Sequence, residues 1–196
     1  MATVGARIAV DCVPGNRDVP TIGSSRTMQR IFELSPIPLV LASRVFDDCP
    51  LILVNEPFLE LSGFRRDDVI GRNCRFLQGP KSEATARAAL AQAIFHQRDA
   101  LVPITNYRRD GTAFRNLVFL FPIFDMDGRN LYMLGSPCNT SSIGAGMSPT
   151  EHARVLDQIL ELNNPLLVHR DGLRISTSAP CVQLTRQHLD SLAPAE

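Results

Sequence analysis

The chain has 196 residues, enough for one domain with a sizeable core plus extensions. Its 20 basic and 20 acidic residues balance, so bulk charge draws it to neither nucleic acid nor anionic lipid, and no window approaches the roughly 18 apolar residues of a membrane helix. Five scattered cysteines without a CxxC pair fit neither a disulfide framework nor a zinc site, which leaves reduced thiols in a soluble, cytoplasmic protein with no metal.

Residues 1–23 show no sustained period and read as a flexible arm. From about Ser24, Met28, Ile31 and Phe32 fall at helical spacing, and Pro36 and Pro38 end that helix near Leu34. Ile37 to Ser43 and Pro50 to Val54 are short apolar runs around Asp47-Asp48, which predicts a hairpin. Short helical pieces follow through Gly63 and Asp67 to Ile70. Ser82 then opens a helix whose Ala86, Ala89, Leu90, Ala93 and Ile94 share one face. Leu101 to Arg108, Ala113 to Phe124 and Asn130 to Cys138 are three strands joined by Asp110-Gly111 and Asp127-Gly128, since Asp-Gly between apolar runs is a hairpin signal. Past Thr140 a Ser, Gly and Ala run leads to Ser148 and Glu151 at capping-box spacing, with Pro149 at the first helical position. A helix to about Leu162 is predicted, broken by Asn163-Asn164-Pro165, with a further helix between Pro180 and Leu192.

Between the second strand and the Ala-rich helix lies Gly71-Arg-Asn-Cys-Arg-Phe-Leu-Gln-Gly-Pro80, which sets one thiol, Cys74, between the amide of Asn73 and the guanidinium of Arg75, with Gln78 one turn on. A single thiol among groups suited to a polar, phosphate-bearing ligand is a candidate nucleophile. The other cysteines read as small buried residues. This string resembles the signature of the LOV (light, oxygen, voltage) domains, flavin-binding members of the PAS superfamily, and the strand, strand, helices, three-strand order is similar to theirs. The resemblance implies an α+β PAS/LOV fold: a five-stranded antiparallel sheet with helices on one face, in a short LOV protein with helical extensions. Its parts would be an arm and helix over 1–35, the core over 36–140 and a helical extension over 141–196.

The resemblance also implies a blue-light photoreceptor in which Cys74 bonds reversibly to the flavin ring, the signal leaving as altered helix packing or homodimerisation toward a downstream protein. FMN is the implied cofactor, with riboflavin and FAD as alternatives. Asn106 and Asn116 match the amides at the ring's pyrimidine edge, Arg75 and Gln78 the groups near the ribityl phosphate, and Val40, Leu51, Leu77, Val118, Leu120 and Gly135 the ring packing. Three positions depart from the pattern. Ala91 replaces a second phosphate-binding arginine, leaving Arg87 one turn earlier as the substitute. Met133 replaces a common aromatic residue. Pro137 stands where a glutamine usually senses flavin protonation, and proline has no amide to flip.

The runner-up is a flavin-binding PAS sensor of redox state or ligand that needs no light. An enzyme is not expected: no GxSxG or HExxH string occurs, and His169-Arg170-Asp171, though similar to a kinase catalytic loop, is followed by Gly172 and reads as a turn. Met147 to Glu196 holds more acidic than basic residues, which argues against DNA binding there.

Overall fold

The computed structural model describes residues 25–141 and 147–192, so the predicted arm over 1–23 lies outside the described residues. The first helix, α1 (Arg26–Leu34), starts where the Ser25 hydroxyl accepts from the Met28 N–H and buries Met28, Ile31 and Phe32. Strands β1 (Val40–Ser43) and β2 (Leu51–Val54) form the predicted hairpin. Short helices α2 (Glu56–Ser62) and α3 (Arg66–Val69) lead to a 3-10 helix at Cys74–Leu77, then to α4 (Ala84–Phe95). The meander β3 (Ala100–Tyr107), β4 (Ala113–Asp125) and β5 (Asn130–Asn139) completes an antiparallel sheet ordered β2-β1-β5-β4-β3.

Side chains alternate across a strand, and this gives the sheet two apolar faces. Leu117, Phe119, Phe121 and Ile123 of β4 and Leu134 of β5 join α1 and the long helix α5 (Pro149–Asp171) in one core. Asn116, Val118 and Leu120 of β4 and Met133, Gly135 and Pro137 of β5 lie on the opposite face, toward α4 and the Cys74 segment. The flanking helices therefore cover the face that the core helices leave bare.

The C-terminal part differs from the sequence reading in two ways. Asn163-Asn164-Pro165 does not break the helix: α5 runs from its Ser148–Glu151 capping box through Pro165 to Asp171, so His169-Arg170-Asp171 is its last turn, and Gly172 ends it at φ 62°. A mid-helix proline costs roughly 3 kcal/mol. Burial of Leu160 and Leu167 on either side offsets it, and the asparagines make contacts instead of a turn. Asn164 both accepts from the Ile175 N–H and donates to the Ile175 carbonyl, at 3.0 and 3.2 Å. That clamp fixes a sixth strand, β6 (Leu173–Ile175), which pairs with β4 at Ile123–Asp125, beyond the end of β3. The expected five strands are thus joined by one more. The last helix, α6 (Cys181–Leu192), falls where predicted, with Asp157 of α5 accepting from its first N–H groups at 2.6 and 3.0 Å.

Candidate functional site

Between the sheet face, α4 and the Cys74 helix lies a cavity with about 830 Å³ of empty space, its mouth and adjoining solvent included. Three elements shape it. The strand wall is mostly aliphatic: Val40, Leu51, Val118, Leu120, Met133, Gly135 and Pro137. A side chain at Gly135 would bring its Cβ within 2.8 Å of Val40, so only glycine lets β1 and β5 meet here without narrowing the space. Leu90 and Ile94 of α4 form a second wall. Glu83, just before α4, holds this helix in place by accepting from the Thr105 N–H at 2.8 Å, from the Thr105 hydroxyl and from Arg115. The Thr105 N–H, aided by Arg115, pulls the Glu83 carboxyl down to about 2.

The third element carries the thiol. Asn73 caps the 3-10 helix by accepting from the Arg75 N–H at 2.9 Å, which aims Cys74 and Leu77 inward. Burial pushes the Cys74 thiol up to about 12, so it keeps its proton at any ordinary pH. Its usefulness is positional rather than acidic, and it brings a proton along with its sulfur.

The polar end lies across the cavity on β3 and β4. Asn116 Nδ2 donates to Asn106 Oδ1 at 2.7 Å, while Asn116 Oδ1 is buried with no hydrogen-bond partner. A buried acceptor left unpaired costs roughly 1–3 kcal/mol. An acceptor of this kind facing an apolar cavity matches a ligand N–H.

Of the residues singled out in the sequence, Val40, Leu51, Asn73, Cys74, Arg75, Leu77, Gln78, Asn106, Asn116, Val118, Leu120, Met133, Gly135 and Pro137 line this one cavity. Arg87 does not. It is exposed on α4, about 100° round the helix from buried Ala86, and it shares its outer face with Ala91. Arg75 is at the mouth but already paired, with Asp48 at 2.6 Å. Four further residues line the cavity that the resemblance does not assign to it: Ala42, Cys49, Leu90 and Ile94. Ala42 follows from the alternation that picks Val40, and Leu90 with Ile94 from the inner stripe of α4. Cys49 carried no such signal, and it is half-exposed rather than buried, as is Cys74, whereas Cys138 and Cys181 are buried.

Residues 37–136 match the PAS domain family, half of the chain. Among solved structures, the LOV domain of an Erythrobacter litoralis blue-light-activated histidine kinase is 39% identical, with 98% of its length covered by 55% of this chain at a TM-score of 0.53. The chain belongs to the LOV branch of the PAS family. The Rhodobacter sphaeroides LOV protein, 29% identical at a TM-score of 0.68, matches 85% of this LOV chain and 90% of its own, so the likeness extends into the flanking helices. A blue-light-activated histidine kinase of Rhizobium johnstonii is 34% identical over 149 residues, which is 75% of this chain and 43% of that protein. The chain spans less than half the length of the first curated relatives. The relatives named blue-light-activated histidine kinases correct the expectation that no enzyme is involved, because there the matched segment is part of a protein named as a kinase. Among the described residues, no helix is long and apolar enough to cross a membrane.

Proposed function

We propose that this LOV protein is a blue-light sensor that holds a flavin in the cavity and uses the Cys74 sulfur for a reversible bond to it. The observation that carries the reading is the Cys74 thiol on the wall of an apolar slot whose far end offers the unpaired Asn116 oxygen. These groups fit a flavin: aliphatic walls for the ring faces, the Asn106 and Asn116 amides for its polar edge, and an open mouth at Arg75 and Gln78 for the ribityl chain. A bound flavin supplies blue-light absorption and, once excited, an oxidising ring with a basic nitrogen. Cys74 supplies both the sulfur and the proton, so no separate base is needed. The relatives named blue-light-activated kinases support this assignment. One absorption spectrum before and after blue light tests it. Reversible bleaching of a yellow protein is expected, whereas a yellow protein that never bleaches would instead be a light-independent flavin sensor.

FMN is the proposed species, held by Arg75 through its phosphate. With Arg87 turned to solvent and Arg75 shared with Asp48, that grip is weak. Charge-assisted contacts to phosphate are each worth roughly 1.5–3 kcal/mol, so one contact fewer relaxes selection among FMN, riboflavin and FAD. Chromatography of the released cofactor is expected to give a mixture, and pure FMN across expression conditions would refute the weak grip. The chain divides on this reading into a lead-in segment over 1–35, the sensor over 36–140 and an output segment over 141–196. Exposed Leu162 and Leu166 on α5 and Leu189 on α6 suit that output segment to a homodimer or a downstream protein.

A further inference from the structure

The cavity holds a second thiol. Cys49 lines it together with Cys74, and both sulfurs are free. Local pairing brings them there. Pro50 and Asn73 form an isolated antiparallel bridge, and the Leu51 N–H donates to the Arg72 carbonyl at 2.8 Å, so Cys49 and Cys74 each adjoin a bridged residue, Cys49 in the left-handed region at φ 47° and Cys74 at the start of the 3-10 helix. The two segments are tied again beyond that point. The Asn73 amide donates to the Asp48 carbonyl, and Arg75 pairs with the Asp48 carboxylate at 2.6 Å. A disulfide needs Cα atoms roughly 4.4–6.8 Å apart, a closeness that these ties between the two segments favour. Cys49 and Cys74 are both half-exposed, and the Cys49 sulfur accepts from Arg44 Nη1 at 3.2 Å.

We propose that Cys49 and Cys74 form a dithiol site which small disulfide oxidants, such as oxidised glutathione, close in the dark to a Cys49–Cys74 disulfide. Closure takes the Cys74 sulfur out of use as the light-driven nucleophile, and that consequence alone rests on the function proposed above. In the first step the Cys49 sulfur attacks one sulfur of the oxidant, whose disulfide bond breaks. The departing glutathione takes up the Cys49 proton. In the second step the Cys74 sulfur attacks Cys49, the mixed disulfide breaks, and the second glutathione leaves with the Cys74 proton. Two protein thiols have then lost two electrons, and one oxidised glutathione has become two reduced molecules.

The test incubates the full chain in the dark with oxidised glutathione, alkylates the remaining thiols and maps the peptides by mass spectrometry. The expected product joins the Cys49 and Cys74 peptides, retains no glutathione and reopens with dithiothreitol, while Cys49→Ser leaves Cys74 open to alkylation after the same treatment. Glutathione retained on Cys49 with Cys74 still alkylated, or neither cysteine changed, would overturn the proposal. The blue-light bleach is read in parallel and is expected to fall in proportion to the linked fraction. Linked peptides in a protein that never bleached sink the light reading and leave the dithiol standing. A bleaching protein with no linked peptide does the reverse.

Discussion

Replacing Cys74 with alanine or serine is expected to leave the protein yellow and abolish the reversible blue-light bleach altogether. The thiol is a small part of a wall whose area comes mainly from Leu51, Leu77, Val118, Leu120 and Met133, so its loss leaves most of the cofactor contact intact. The reversible bond, in contrast, has no substitute at that position. Asn73 and the 3-10 helix aim this one side chain, and a serine hydroxyl in the same place is a far poorer nucleophile. Absorption spectra before and after illumination decide it. A variant that bleaches and recovers like the parent would remove Cys74 from its role and turn attention to Cys49, the second thiol on the wall. Burial holds the Cys74 thiol near 12, above its ordinary 9, so the folded state gives up stability as pH rises through that window while the thiol itself stays protonated below it.

The cavity was readable because its parts are short-range signals. The ten-residue string around Cys74 carries its own capping asparagine, and the Asn106 and Asn116 amides sit on strands whose Asp110-Gly111 turn fixes their register, so that Asn106 pairs with Phe114 and Ile104 with Asn116. What escaped depends on tertiary contact. Leu173-Arg174-Ile175 is too short to show alternation, and it becomes a strand only because Asn164 grips Ile175 while β4 outruns β3. Pro165 looked like a helix end by local rules, yet the buried leucines on both sides carry the helix across it. Arg87 was placed by analogy one turn from Ala91, and helix geometry instead turns both residues to solvent.

The same alternation that builds the cavity offers a route out of it, and leads to a second large effect. Gly135 and Pro137 face the cavity, so Ser136 between them faces α5. Its hydroxyl donates to the Pro38 carbonyl and accepts from His152 Nε2, both at 2.8 Å, while the His152 ring stacks on Phe119 at 5.5 Å. Burial lowers His152 from the ordinary 6.5 to about 4. Between those values the unfolded or undocked segment binds a proton that the docked one refuses. Docking is therefore fully supported above pH 6.5 and loses about 3 kcal/mol as pH falls to 4. Lowering the pH through this window is expected to release α5 from the sheet, seen as a larger radius by small-angle scattering. His152→Phe keeps the stack on Phe119 but cannot titrate, so it is expected to move that release down by a pH unit or more. Pro137 has no amide to reorient, so a change at Cys74 reaches α5 as displacement of β5, and displacement loosens the Ser136–His152 contact that acid also breaks. Illumination is accordingly expected to shift the release toward neutral pH in the parent protein. An identical acid midpoint in dark and light, with the bleach complete, would show that β5 does not carry the signal to α5.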